Sequence, residues 1–294
     1  MTKSFLDLNK AKGISWFILS LLISVTNDVI MKFLGSNISV YEVVFLRFFF
    51  GTIVFIPFMF TNKKSFKTSR IFLHISRGGI LFLGIAAWCF GLTSGKLAVA
   101  TTINFTIPIF VLLLAAKFLN EKFTITKVLV TIIGFIGIVI IVNPISLDFN
   151  AISLMLVISA FLFASLDVIN KKFVSVESMI SMLFYSNLFA MLFSAAPGIY
   201  YWTMPDSKTL LLLFVLGGGA NLILYCLLKS FSYIEVSVVS SYRYLELLFS
   251  ITLGYVFFKE KFDIANWIGA SVIIFSTLVM SYEYLLTRRL KKKP

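Results

Sequence analysis

Residues 120–123 read Asn-Glu-Lys-Phe and residues 259–262 read Lys-Glu-Lys-Phe, so Glu121 and Glu260 stand 260 − 121 = 139 positions apart. The same offset carries Asp28-Val29-Ile30 onto Asp167-Val168-Ile169, Lys32 onto Lys171, and Gly78-Gly79 onto Gly217-Gly218. One offset holds in three separate stretches without a gap. Charged residues are among those that align, which sets the match apart from chance identity at apolar positions. A chain with such an internal repeat is read first as two copies of one unit.

Composition says what the unit is made of. Of 294 residues 59% are hydrophobic and 13% charged, against about 45–50% and 25% in a soluble protein. With 33 Phe, only 6 Pro and a mean hydropathy of +0.98, a water-soluble domain is excluded. Polar breaks divide the chain into ten apolar stretches, at 14–34, 43–60, 71–92, 97–118, 125–142, 151–171, 180–200, 209–230, 235–258 and 264–286. Each is near the 20 or so residues that cross about 30 Å of hydrocarbon as a helix. The longest polar connection is 61–70, so no soluble domain sits between spans. The expected fold is an all-α membrane protein of ten transmembrane helices, divided into residues 1–145 and 146–294. Five spans per half is an odd number, so the second half must enter the membrane in the opposite sense. Inverted repeats of this kind build secondary transporters, with the substrate site near the midplane where the halves meet.

The surplus of charge, 26 Lys and Arg against 13 Asp and Glu, is a matter of topology. With the N-terminus inside, 18 of the 26 cationic residues fall on inner segments and only Lys96, Lys208, Lys259 and Lys261 outside. That bias predicts cytoplasmic termini, with the tail from Arg288 to Lys293 as an anchor near anionic lipid and no nucleic-acid partner. The first apolar run follows Lys10 and Lys12 as a signal peptide would, but its length and the polar Asn27-Asp28 indicate an uncleaved span. Cys89, Cys226 and the single His74 are too scattered for a metal site or a catalytic triad, and no cofactor is expected.

Further residues give these features a family likeness. Pro108 lies within the fourth span, Glu121 ends it before Lys122-Phe123, and Glu260-Lys261-Phe262 follows the ninth. In this and in the doubled five-span unit the chain resembles the EamA family of the drug/metabolite transporter superfamily over essentially its whole length. The second half departs from the pattern with Leu247 where the offset from Pro108 falls, so a proline hinge belongs to one half only. The resemblance implies a carrier of the bacterial inner membrane rather than an enzyme. It also implies import of S-adenosylmethionine by alternating access, with S-adenosylhomocysteine as an exchange partner; export of amino acids or other small metabolites is the alternative within the same fold.

Ionisable side chains inside a bilayer cost about 2.5–3.5 kcal/mol each on insertion scales, so they mark a cavity or pathway. Asp28 and Asp167 are repeat mates and can present two negative charges to a cation. Each has a lysine four residues on, which suits an intrahelical pair just as well. Arg243 lies about eight residues into the ninth span and suits a substrate carboxylate through its planar fork, or a local pair with Glu246; its repeat mate is the neutral Asn104. Glu246 joins the aspartates as a candidate for cationic groups. Trp88, Tyr225 and Tyr242 can stack an adenine or attract a sulfonium. Asn27 and Asn170 can hydrogen-bond polar substrate groups or a neighbouring helix. Arg47 and Arg77 are expected nearer the span edges, within reach of headgroups. The Gly78-Gly79 and Gly217-Gly218-Gly219 runs lack phosphate-loop spacing and read as helix-packing positions. Glu121 and Glu260 are expected in structural roles at helix starts.

Overall fold

The computed structural model describes residues 2–34, 38–61, 68–94, 103–122, 124–142, 151–258 and 264–290. These residues are helical with no strand among them, as a backbone in hydrocarbon requires: a helix satisfies its own N–H and C=O groups and an open sheet edge does not. The helices are α1 (Thr2–Leu34), α2 (Val40–Thr61), α3 (Ile71–Ser94), α4 (Ile107–Phe118), α5 (Ile125–Val142), α6 (Ala151–Phe173), α7 (Met179–Tyr200), α8 (Ser207–Tyr233), α9 (Val236–Ser240), α10 (Leu245–Phe258) and α11 (Ile264–Leu290). Six of them are long and apolar enough to cross a membrane, and segments of α4, α5 and α11 are shorter apolar helices. Their outward faces are apolar, with Phe60, Phe72, Leu211 and Trp267 exposed, which suits contact with lipid tails.

The 139-residue offset reappears in the helix ends. α2 and α7 correspond at both termini, 179 − 40 = 139 and 200 − 61 = 139; α1 and α6 end at 34 and 173, α3 and α8 at 94 and 233, and α5 and α11 begin at 125 and 264. Packing obeys the same symmetry. α1 lies on α8 as α6 lies on α3, α2 touches α8 as α7 touches α3, and α1 meets α10 as α6 meets α4. The remaining principal pairs, α2 with α7 and α5 with α11, join each helix to its own repeat mate. A two-fold relation between the halves accounts for all of these contacts, and each of them crosses from one half to the other. The architecture is ten spans in two inverted five-helix repeats.

Close approach explains the glycine runs. A Cβ at Gly217 would stand 2.8 Å from the Arg47 carbonyl oxygen, and one at Gly219 would overlap the Asn27 amide. Without side chains there, α8 receives α1 and α2 against its backbone. The main apolar core gathers Phe17 and Leu21 of α1, Val111 of α4, Ala160 and Ala164 of α6, Met182 of α7, Leu228 of α8 and Val239 of α9. At the opposite end of the bundle Asp206 caps α8, its carboxylate accepting the Thr209 N–H at 3.2 Å, which holds this exposed group below the usual carboxylate range.

Candidate functional site

The ninth span is where the structure departs from a row of simple helices. α9 runs for five residues, Ser241–Tyr244 tighten into a 3-10 turn, and α10 resumes at Leu245. The first half is interrupted at the matching depth: Ile103-Asn104 are helical, Phe105-Thr106 form a turn, and α4 starts at Ile107. There Thr106 Oγ1 donates to the Ile103 carbonyl at 2.6 Å. Pro108 sits in the first turn of α4, while the second half breaks with no proline. Broken spans at equivalent places are how inverted-repeat carriers build a midplane site.

Arg243 leaves the 3-10 turn and donates from Nη2 to Asp167 Oδ2 of α6 at 2.7 Å; the two side chains are 14% and 8% exposed. This is a charge-assisted bond between groups largely withdrawn from water. It replaces the local Asp167–Lys171 pairing open to the sequence, while Glu246 stays within electrostatic reach of Arg243. Asp167 does not need Lys171, whose Nζ instead donates to the Phe231 and Ile234 carbonyls at the end of α8, at 2.5 and 2.7 Å. Arg243 spends this nitrogen on Asp167 rather than on Glu246.

Asp28, the repeat mate of Asp167, is placed differently. Asp28 is exposed, whereas Asp167 is buried. Glu246 of α10 and Arg47 of α2 lie within electrostatic reach of it, and Cys89 of α3 lies beside Arg47. Ser24, one turn before Asp28 on the same face of α1, hydrogen-bonds Glu246. Arg47, Asn104, Arg243 and Glu246 are all half-buried. The buried Nε atoms of Arg47 and Arg243 have no hydrogen-bond partner.

The other candidates fall outside this group. Tyr242 is buried in the main apolar core. Tyr225 lies against Trp16, ring edge to face at 5.9 Å, with Lys229 Nζ over its ring. Asn27 is buried and donates to the Leu216 carbonyl of α8 at 3.3 Å. Asn170 Oδ1 accepts from Arg77 Nε and Nη2 at 2.9 and 2.7 Å, and Arg77 also donates to the Met182 carbonyl at 3.0 Å. Arg77 is therefore a fully buried tie between the halves, not the headgroup-reaching side chain its place near a span edge suggested. Trp88 packs between two apolar clusters beside Cys89 and Ile103. Glu260 and the Lys32 side chain lie outside the described residues.

A second polar assembly sits at the end of the bundle where α1 begins. Asn120 adopts φ 54 after α4, a conformation asparagine tolerates. The chain thereby reverses and delivers the Glu121 carboxylate to the start of α9. Glu121 Oε1 accepts the Val236 N–H at 2.9 Å, Oε2 accepts the Ser237 N–H at 3.1 Å, and the Ser237 hydroxyl donates to it as well. Lys127 Nζ bonds Glu235 Oε2 at 2.6 Å and Ser237 Oγ at 2.8 Å. The sequence motif thus caps a helix of the other repeat, not the next helix along. A negative group at a helix N-terminus meets unpaired N–H donors and the positive end of the dipole.

Comparison with known proteins decides the class. The model of the EamA-like transporter family matches twice, at residues 11–143 and 150–282. This chain is a member of that family. The S-adenosylmethionine uptake transporters of Rickettsia conorii and Rickettsia prowazekii are 47% and 45% identical to it, each match covering 92% of this chain and 92% of the relative. A riboflavin transporter of Brucella anthropi is 25% identical over 86% of this chain and 92% of its own. A solved crystal structure superimposes with a TM-score of 0.81 at 17% identity, covering 95% of this chain and 99% of that one, and so shares the fold. This EamA-like transporter is a multi-pass membrane carrier of a small molecule and not an enzyme. Around its ninth span three carboxylates and two guanidiniums form one electrostatic network, Asp167 with Arg243, Arg243 with Glu246, and Asp28 with Glu246 and Arg47.

Proposed function

We propose that this carrier imports S-adenosylmethionine by alternating access. The observation that carries the reading is the 45–47% identity to S-adenosylmethionine uptake transporters over nearly the whole chain. The charges support it. S-adenosylmethionine bears an ammonium, a sulfonium and a carboxylate, a net monocation. Asp28, Glu246 and Arg47 carry two formal negative charges and one positive, and the Asp167–Arg243 pair adds no net charge, so the sign is opposite to that of the substrate. In this reading Trp88 and Asn104 contribute an aromatic face and an amide, whereas Tyr225, Tyr242, Asn27 and Asn170 serve the scaffold.

The unequal exposure of the repeat-mate aspartates supports an orientation. Asp28 opens to solvent while Asp167 is closed off by Arg243, and Glu121, Lys127 and Lys171 fasten the end nearer Asp167. With both termini in the cytoplasm of the bacterial inner membrane, as the charge bias of the loops indicates, that state faces outward. Its counterpart arises when the halves, residues 1–145 and 146–294, exchange conformations. The basic tail then lies beside anionic lipid of the inner leaflet.

Import of a monocation is driven by an inside-negative potential worth about 2.3 kcal/mol per charge per 100 mV. Exchange for neutral S-adenosylhomocysteine still moves one positive charge inward. The test is uptake of labelled S-adenosylmethionine into proteoliposomes under an imposed potassium-diffusion potential. Saturable uptake that rises with inside-negative potential and accelerates with internal S-adenosylhomocysteine is expected. Uptake indifferent to the potential, or competed by amino acids and riboflavin but not by adenosyl compounds, would refute the reading.

A further inference from the structure

We propose that Arg47 of α2, rather than Arg243, is the group that holds the substrate carboxylate, with Asp28 and Glu246 receiving the two cationic centres. The inference rests on the substrate reading above and adds the assignment of each charge. It starts from the two guanidiniums near the broken span. Arg243 already has a carboxylate: its Nη2 lies 2.7 Å from Asp167 Oδ2, and Asp167 is itself 8% exposed. To accept a substrate carboxylate, Arg243 would have to share a fork already anchored across the two repeats.

Arg47 is not so engaged. It makes no hydrogen bond to another described residue, and its Nε is buried with no partner. A guanidinium nitrogen withdrawn from water with no acceptor is unfavourable, and the donors of the group have a fixed geometry that matches a carboxylate. The backbone around it is held firmly. Gly217 admits the Arg47 carbonyl against α8, and the neighbours Leu46 and Phe48 are buried in separate apolar clusters. The side chain is therefore presented from a rigid helix.

Setting the Asp167–Arg243 pair aside leaves the exposed Asp28 with Glu246 and Arg47 within its electrostatic reach. These carry two negative charges and one positive, and the substrate carries two positive and one negative. Asp28 lies within electrostatic reach of both others, so one amino-acid group can bridge Asp28 and Arg47 while the sulfonium faces Glu246. A cation placed between two nearby carboxylates gains attraction from both. The repeat mates of Arg47 and Glu246 are Ser186 and Ile107, so this triad exists in one half only. That asymmetry gives the pocket a single polarity, in which the substrate binds with its carboxylate toward α2.

The test uses a substrate that lacks only the carboxylate, decarboxylated S-adenosylmethionine. Equilibrium binding of both compounds is measured on the purified full-length protein, wild type and the variants Arg47→Gln, Arg47→Lys and Arg243→Gln. Wild type is expected to prefer the carboxylate-bearing compound by about tenfold or more, the loss typical of a charge-assisted hydrogen bond. Arg47→Gln abolishes that preference by weakening S-adenosylmethionine alone. Arg47→Lys keeps part of it, because the charge remains and the fork does not. Arg243→Gln leaves the ratio of the two affinities unchanged. A preference that survives in Arg47→Gln, or one lost in Arg243→Gln instead, overturns the assignment. Should Arg47→Gln fail to fold, a wild-type preference in Arg47→Lys overturns it equally. Wild-type protein that binds neither compound refutes the substrate reading itself, whereas one that binds S-adenosylmethionine with no preference over the decarboxylated form refutes the Arg47 assignment alone.

Discussion

Asp28 and Asp167 stand 139 residues apart at corresponding turns of the first helix of each repeat, and their surroundings differ. Asp167 is buried against Arg243 at 2.7 Å, near the end of the bundle fastened by Glu121, Lys127 and Lys171. Asp28 is accessible, with Arg47 and Glu246 in its neighbourhood. The repeat supplies the carboxylate twice, and the unpaired cation decides its use, since Arg243 answers Asn104 in the other half and Arg47 answers Ser186. The same side chain is thereby tied across the repeats in one half and, in the proposal above, a binding group in the other.

Four substitutions break or sharpen this contrast. The largest effect is expected from Asp167→Asn, which leaves Arg243 charged, desolvated and unpaired, and lowers stability by about 3–5 kcal/mol. The double variant Asp167→Asn/Arg243→Gln recovers much of the loss in thermal unfolding of detergent-purified protein. Equal losses in single and double variants would mean that the pair is not a unit. Asp28→Asn comes next: unfolding is unchanged within experimental scatter, while affinity for S-adenosylmethionine falls about tenfold or more, about 1.4 kcal/mol. A large loss of stability there would make Asp28 a second structural tie and erase the contrast.

Glu121→Gln keeps an acceptor at the start of α9 but removes its charge, a change of about 1 kcal/mol or less. A cysteine introduced at Ser237 in that background is expected to react faster with a membrane-impermeant thiol reagent than the same cysteine beside Glu121. Unchanged reactivity would remove Glu121 from the closure. The smallest effect is expected from Pro108→Leu, which gives the first half the residue of the second. Because the ninth span breaks with leucine in that place, transport and stability should shift by less than about 1 kcal/mol; loss of transport would show that the two breaks work differently.

Much of the fold was legible because hydropathy and the offset report on covalent spacing alone. Glu121 and Glu260, Asp28 and Asp167, and Gly78 and Gly217 place the two copies, and the helix ends follow them. The break at Ser241–Tyr244 was not legible, since Ser-Tyr-Arg-Tyr holds neither glycine nor proline. The pairings were hidden for a related reason. Asp167 and Arg243 are 76 residues apart and Arg77 and Asn170 are 93 apart, whereas sequence spacing suggests only partners three or four residues away. Of the candidate site, Asp28, Glu246 and Arg243 were found by their charge in an apolar span. Arg47 carried the same signal, but its distance from the span end suggested a headgroup contact. Tyr225, Tyr242, Asn27 and Asn170 could not be separated from packing residues without the neighbours that the fold brings to them.

Binding of S-adenosylmethionine to purified Asp28→Asn, set against the doubly neutralised Asp167→Asn/Arg243→Gln, tests the division of labour most directly. Asp28→Asn is expected to lose affinity about tenfold or more, and the double variant to stay within about threefold of wild type. Retained binding in Asp28→Asn together with lost binding in the double variant would contradict it.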